Sequence, residues 1–229
     1  MLARLAALEF LGSRVAVWGE GEVRRLVLFL HGSGDSGRGV KEWLRSTGLL
    51  LPPGTALLLP SAPPRPYSLL GGQRSHVWHD RRELAMEAWE DGEGLAAMGR
   101  SLAGLVEEAA EVAGLPRSRV ALGGFSQGGH MALHAVYGQG VQVAACFALS
   151  SFLCSSTAVT EHLRSPSTPL LLSTGTADGL VEEGWVGSTA ARLAAAGVGV
   201  EHRVVEGLGH DMARHQLEGL MAWLANLMP

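Results

Sequence analysis

The five residues Gly124-Phe125-Ser126-Gln127-Gly128 constrain this chain more than any other feature. They spell G-x-S-x-G between Ser118–Gly123, which reads as a short buried strand, and Gly129–Val136, which reads as a helix. A strand that turns straight into a helix needs small residues on both sides, because side chains there would collide. Such a turn lifts the Ser126 hydroxyl out of the sheet and aims the free N–H groups of the helix N-terminus towards it. The same letters could arise by chance in a chain with 31 glycines. The flanking strand and helix favour the functional reading.

Strand-like and helix-like segments alternate along the rest of the chain, the pattern of a mostly parallel sheet covered on both faces. Val15–Trp18, Leu26–Leu30, Thr55–Leu59, Val143–Leu149, Pro169–Ser173 and Val198–Val205 read as strands. Val40–Leu50 has room for a short helix. Gly94–Ala113, Trp185–Ala196 and Arg214–Leu227 read as longer ones, the first with apolar positions at helical spacing. The opening residues Met1–Glu9 read as a strand or short helix; Arg4 and Glu9 interrupt the apolar core that a signal peptide would need. Ser61–Arg82, rich in proline and glycine at its start, reads as a long irregular loop. With no repeat or linker, residues 1–229 are expected to form one α/β domain.

Composition narrows the function. The formal net charge is −4 and no basic cluster exceeds Arg81-Arg82, so a nucleic-acid partner has no electrostatic footprint. Apolar runs are strand-sized, far below the roughly 20 residues that span a bilayer, so stable membrane insertion is not expected. The two cysteines, Cys146 and Cys154, lie in or beside an apolar segment and read as buried thiols, which makes the cytosol the expected compartment.

A serine hydroxyl is a poor nucleophile near neutral pH; it needs a base, and the base an orienting carboxylate. Asp178 follows the strand ending near Ser173, and His210 follows the strand ending at Val205. Both therefore fall at the sheet edge that carries Ser126, with chain enough between them for a further strand–helix unit each time. Asp211 is a weaker partner because it adjoins His210, and His130 and His134 read as packing residues on the helix behind Ser126. His162, His202 and His215 lack a strand-end setting, whereas His76 and His79 in the long loop are the rivals to His210. His130 and His134 lack the glutamate of a zinc motif, so no metal is expected. Gly32–Gly37 is glycine-rich but lacks both the phosphate-loop ending and the dinucleotide frame, so no cofactor is expected. Its better use is to supply an oxyanion donor: the backbone N–H of Ser33, opposite that of Gln127.

Six motifs recur in order: His31-Gly32-Ser33-Gly34-Asp35-Ser36-Gly37, Pro60–Arg65, Val77-Trp78, Gly124–Gly129, Phe147–Ser151 and Gly175–Asp178. From about Arg14 to Leu227 the chain resembles the acyl-protein thioesterase and lysophospholipase family of α/β-hydrolases, closest to the lysophospholipase-like protein 1 branch. The resemblance implies an α/β-hydrolase fold and a cytosolic, cofactor-free serine hydrolase. It also implies a triad of Ser126, Asp178 and His210, with Ser33 and Gln127 amides as the oxyanion hole. Where the family commonly has His-Gly before the acid loop, this chain has Thr174-Gly175; where it has Trp-Phe-Asp, this chain has Trp78-His79-Asp80. Some members carry an acylated N-terminal cysteine, but none here precedes Cys146. Trp78, His79, Leu69 and Leu70 are expected to line the substrate pocket. The polar, glycine-rich loop around those leucines favours short acyl chains on an ester or thioester substrate. Long-chain depalmitoylase or lysophospholipase activity is the alternative, and a silent binding module a further one.

Overall fold

The computed structural model describes residues 1–154 and 163–229. Helix α1 (Leu2–Leu5) and a small hairpin, β1 (Glu9–Phe10) with β2 (Ser13–Arg14), open the chain. Strands β3 (Ala16–Gly19) and β4 (Arg25–Leu30), helix α2 (Gly37–Ser46) and strand β5 (Thr55–Leu59) follow. A second hairpin, β6 (Pro64–Pro66) with β7 (Arg74–His76), occupies the segment expected to be an irregular loop. Then come α3 (Gly92–Ala113), β8 (Val120–Phe125), α4 (Gln127–Leu133), β9 (Ala145–Leu149), β10 (Leu170–Gly175), α5 (Glu183–Ala195), β11 (Val200–Val205) and α6 (Arg214–Leu227).

Seven strands form the central sheet in the order β11-β10-β9-β8-β4-β5-β3. All neighbours are parallel except β3, which runs antiparallel to β5 at one edge. The strands read as continuous apolar runs because the sheet is buried on both faces. Their period of two splits the core. Leu26, Leu28 and Leu30 of β4, with Val120 and Leu122 of β8, face one layer packed by α3, α4 and α5. Val27 and Phe29 of β4, with Phe147 and Leu149 of β9, face the other, packed by Val40 and Leu44 of α2 and Leu217 to Leu224 of α6.

Helix boundaries follow local chemistry. Ser36 Oγ accepts the Gly39 N–H at 3.1 Å to cap α2, and Asp91 Oδ1 accepts the Gly94 N–H at 2.9 Å to start α3 two residues before its expected beginning. Gly114 ends α3 with φ 64°. Helix α4 begins directly after Ser126, and its last turn widens at His134–Gly138 into π geometry. No helix of the described residues is long and apolar enough to cross a membrane.

From β4 the chain passes to β5 on one side and returns through β8 to the other, so the strand order reverses between β4 and β8. In open α/β sheets the crevice at the C-terminal ends of such a pair is where ligands bind. Here it holds the Gly32-Ser33 turn and Ser126. The two segments meet backbone to backbone: a Cβ on Gly124 would run into the Leu30 carbonyl oxygen, and one on Gly128 into the carbonyl oxygens of Leu30 and His31. Gly104, on the exposed side of α3, has nothing within 4 Å of its Cβ position. Gly128→Ala should therefore lower the unfolding free energy by about 1–3 kcal/mol or more, whereas Gly104→Ala should raise it by about 0.5–1 kcal/mol. Urea denaturation of the two variants beside the parent checks both signs.

Candidate active site

Ser126 occupies φ 51°, ψ −122°, a conformation that L-residues other than glycine rarely adopt and that costs about 1–3 kcal/mol. Its surroundings impose it. The Ser126 N–H donates to the Leu149 carbonyl at 2.9 Å, the His130 N–H donates to the Ser126 carbonyl at 3.1 Å, and the glycine contacts fix both flanks.

His210 follows β11 and Asp178 follows β10, and their loops converge on the serine. His210 Nε2 lies 3.0 Å from Ser126 Oγ, and His210 Nδ1 lies 2.9 Å from Asp178 Oδ2 and 3.1 Å from Oδ1. The Asp178 side chain is 0% exposed and that of His210 18%. Burial pushes the Asp178 carboxyl up, but hydrogen bonds from the Val181 N–H, from His210 and from the Leu180 N–H hold it below the usual carboxylate value. An ionised carboxylate only accepts, so Nδ1 carries the ring hydrogen and the Nε2 lone pair faces the serine hydroxyl. The Phe125 ring packs 4.8 Å from the imidazole and limits its tilt. The order Ser–His–Asp in space can deprotonate an alcohol and stabilise the imidazolium that results.

On the β4 side, Gly32 is so near that its Cβ would stand 3.5 Å from Ser126 Cβ. The turn is braced by His31, a residue to which sequence reasoning gave no role. His31 Nδ1–H donates to the Gly32 carbonyl at 2.7 Å, Nε2 accepts the Ala62 N–H at 3.0 Å, and Trp78 Nε1 donates to the His31 carbonyl at 2.7 Å. Burial pushes its pKa down to about 4, so the ring stays neutral and can keep one donor and one acceptor. Ser33 and Gln127 thus flank Ser126 from two elements.

The four expected pocket residues differ in exposure. Trp78 and His79 are fully buried and present no face to an open cleft. The Gln127 side chain turns them inward: its Oε1 accepts the Trp78 N–H at 2.9 Å and its Nε2 donates to the His79 carbonyl at 3.0 Å. Trp78 then packs 4.9 Å from the His31 ring, and His79 packs 4.9 Å from the His130 ring. Burial, with His130 and Arg81 nearby, holds the His79 pKa well below its ordinary value. Leu69 and Leu70 sit 40% and 49% exposed on the turn of the β6–β7 hairpin.

The rival histidines do not reach the serine. His76 Nδ1 donates to the Ala62 carbonyl and His79 Nδ1 to the Asp80 carbonyl, while His134, read as packing, faces Gln139. His130 is not mere packing: Nδ1 donates to the Phe152 carbonyl at 2.8 Å and Nε2 lies 2.8 Å from Glu90 Oε1. Asp211 caps the Met212 N–H instead of a ring, and His162 falls outside the described residues. Both cysteines are free and buried. Among the described residues no three His, Cys, Asp or Glu side chains converge as metal ligands. A cavity of about 10 Å³ opens at Ser126, walled by Arg81, His130, Ser150 and Ser151 and by the apolar Leu84, Phe152 and Val181. Sequence reasoning missed Arg81 and the two serines as wall residues.

Sheet topology and the strand-to-helix serine turn define this molecule as an α/β-hydrolase. Residues 12–228 match the Phospholipase/Carboxylesterase family, and the chain belongs to it. It is 35% identical to Lysophospholipase-like protein 1 of Mus musculus over 208 residues, covering 89% of this chain and 87% of that protein. It is 26% identical over 204 residues to Acyl-protein thioesterase 1 homolog 1 of Dictyostelium discoideum, covering 89% and 90%. The crystal structure of Zea mays acyl-protein thioesterase 2 superposes with TM-score 0.83 at 27% identity, covering 94% of this chain and 99% of that one. The chain is an ester hydrolase of this family.

Two stability effects follow from the geometry. Gln127→Leu orphans a buried N–H and a buried carbonyl at once, and should lower the unfolding free energy by at least about 2 kcal/mol, read from urea midpoints. Because the Asp178 carboxyl is held below its unfolded value of about 3.9, it adds stability above that pH, lost as pH falls through the folded value. Asp178→Asn should therefore flatten the acid limb of a Tm–pH curve between about pH 5 and 2.

Proposed function

We propose that this chain hydrolyses short-chain carboxylic esters or thioesters through an acyl-enzyme on Ser126. The observation that carries the reading is the unbroken hydrogen-bonded series from Ser126 Oγ through His210 to Asp178. Ser126 Oγ attacks the acyl carbonyl while His210 Nε2 takes its proton; the same nitrogen returns the proton to the departing alcohol or thiol. Water, deprotonated by His210, then releases the acid. Asp178 holds the ring tautomer and stabilises the imidazolium. The N–H groups of Ser33 and Gln127 receive the developing oxyanion, and each such donor contributes roughly 3 kcal/mol to transition-state stabilisation.

The cavity at Ser126, about 10 Å³, supports short acyl groups. The names of the relatives support the second reading, thioesters or lysophospholipids with long chains. Two buried thiols fit a reducing compartment, and the cytosol is the proposed location. A retained fold with a silent triad is the remaining alternative.

Ser126→Ala should lower kcat on p-nitrophenyl butyrate by about a millionfold and abolish fluorophosphonate labelling. Unchanged turnover would end the serine mechanism, and failure of the parent to label would favour the silent module. On esters of two, four, eight and sixteen carbons the expected maximum of kcat/KM is at two or four. A maximum at sixteen establishes the long-chain reading instead.

A further inference from the structure

Beside the apolar Leu84, Phe152 and Val181, the cavity at Ser126 is walled by polar side chains that hydrolysis of a plain alkyl acid does not call for. Ser150 and Ser151 are buried, and neither hydroxyl oxygen has a hydrogen-bond partner. Arg81 is 5% exposed; its Nη2 is likewise buried without a partner, while its guanidinium carbon stands 5.4 Å over the Phe152 ring. Buried donors left unpaired cost roughly 1–3 kcal/mol each, so proteins rarely gather three around one cavity.

The arrangement is held in place. Ser150 sits at φ 45°, the left-handed region that serine seldom adopts, and its N–H is tied to the Ser173 carbonyl at 2.8 Å. Arg81 is joined to the start of α3 by an antiparallel backbone bridge to Glu90. The Glu90 carboxylate is engaged by His130 Nε2 at 2.8 Å. The cavity is about the size of one water, room for a single oxygen-sized group.

Orientation follows from the triad. With the carbonyl oxygen turned to Ser33 and Gln127 on the β4 side, and the leaving group turned to His210, the acyl substituent is the group left to face this cavity. An alkyl chain placed there would leave these three buried groups unpaired. An acceptor oxygen would satisfy them, most strongly where the arginine makes the bond charge-assisted.

We infer that the acyl group accepted at Ser126 is short, two to four carbons, and carries an acceptor oxygen read by Arg81, Ser150 and Ser151. The inference rests on the serine-hydrolase reading and names its substrate class: esters of short hydroxy, keto or dicarboxylic acids. Arg81 is the specificity-determining residue.

The test compares ethyl butanoate with ethyl 3-hydroxybutanoate and monoethyl succinate in a pH-stat, each kcat/KM divided by the ester's alkaline hydrolysis rate. At least one oxygenated ester should exceed ethyl butanoate by about tenfold or more, the hydroxy ester and the hemiester distinguishing a neutral from an anionic acceptor. Arg81→Met should bring that ratio to unity or invert it. If Arg81→Met fails to fold, Ser151→Ala, a far smaller change, should reduce the ratio severalfold. In the parent, 3-hydroxybutanoate or succinate should also protect Ser126 from fluorophosphonate at lower concentration than butanoate does. A ratio at or below one for both oxygenated esters, with ethyl butanoate turned over and Ser126 labelled, overturns the inference and leaves the hydrolase reading standing. No turnover of any ester and no labelling overturns both.

Discussion

The site depends on a backbone contact that contains no side chain. The end of β4 lies so close to the start of α4 that the carbonyl oxygens of Leu30 and His31 occupy the space of any Cβ on Gly124 or Gly128. That approach brings together two segments, the Gly32-Ser33 turn and the Ser126-Gln127 corner. It also locks Ser126 into a backbone conformation it would not hold alone. The packed layers on both faces of the sheet supply the free energy that keeps the strain in place, since β4 and β8 lie at the centre of both cores.

Electrostatics then select one histidine from many. Burial pushes His31 and His134 down to about 4 and His79 well below its ordinary value, so these rings serve as neutral hydrogen-bonding spacers. Two buried carboxylates pair with imidazoles: Asp178 with His210, and Glu90 with His130. The pairs differ in what lies beyond the ring. His210 turns its second nitrogen to the Ser126 hydroxyl, whereas His130 gives its second nitrogen to the Phe152 carbonyl. Both His130 nitrogens are thus taken up by the Phe152 carbonyl and the Glu90 carboxylate, and only the first pair faces a hydroxyl.

Much of this was legible in the chain. Strands buried on both faces leave uninterrupted apolar runs, and α6 begins and ends where its pattern predicts. Ser126, Asp178 and His210 could be placed together because strand ends in a parallel sheet share one edge. The β6–β7 hairpin was hidden because its strands are three residues long and one contains two prolines. The inward turn of Trp78 and His79 was hidden for a different reason. Nothing in a loop's own letters says which way its side chains face; a glutamine amide 49 residues away decides it. Ser150 carries no signal either, because a serine at positive φ is set by its surroundings and not by its type.

Acyl preference is the property least tied to the fold. A TM-score of 0.83 to a thioesterase shows that the fold superposes at 27% identity. The same backbone can therefore present different cavity walls, and chemistry on a shared scaffold is decided by the side chains grafted onto it. In this chain the wall beside the nucleophile combines an arginine, two serines and a histidine with Leu84, Val181 and Phe152, the last beneath the guanidinium. A long alkyl chain gains free energy by leaving water for an apolar lining, at roughly 25 cal/mol per Å². Against Arg81, Ser150 and Ser151 it would leave unpaired the groups that an acceptor oxygen would satisfy. The physical contrast with an apolar tunnel thus lies in which groups remain unpaired once the acyl-enzyme forms, and that count depends on Arg81 more than on any element of secondary structure.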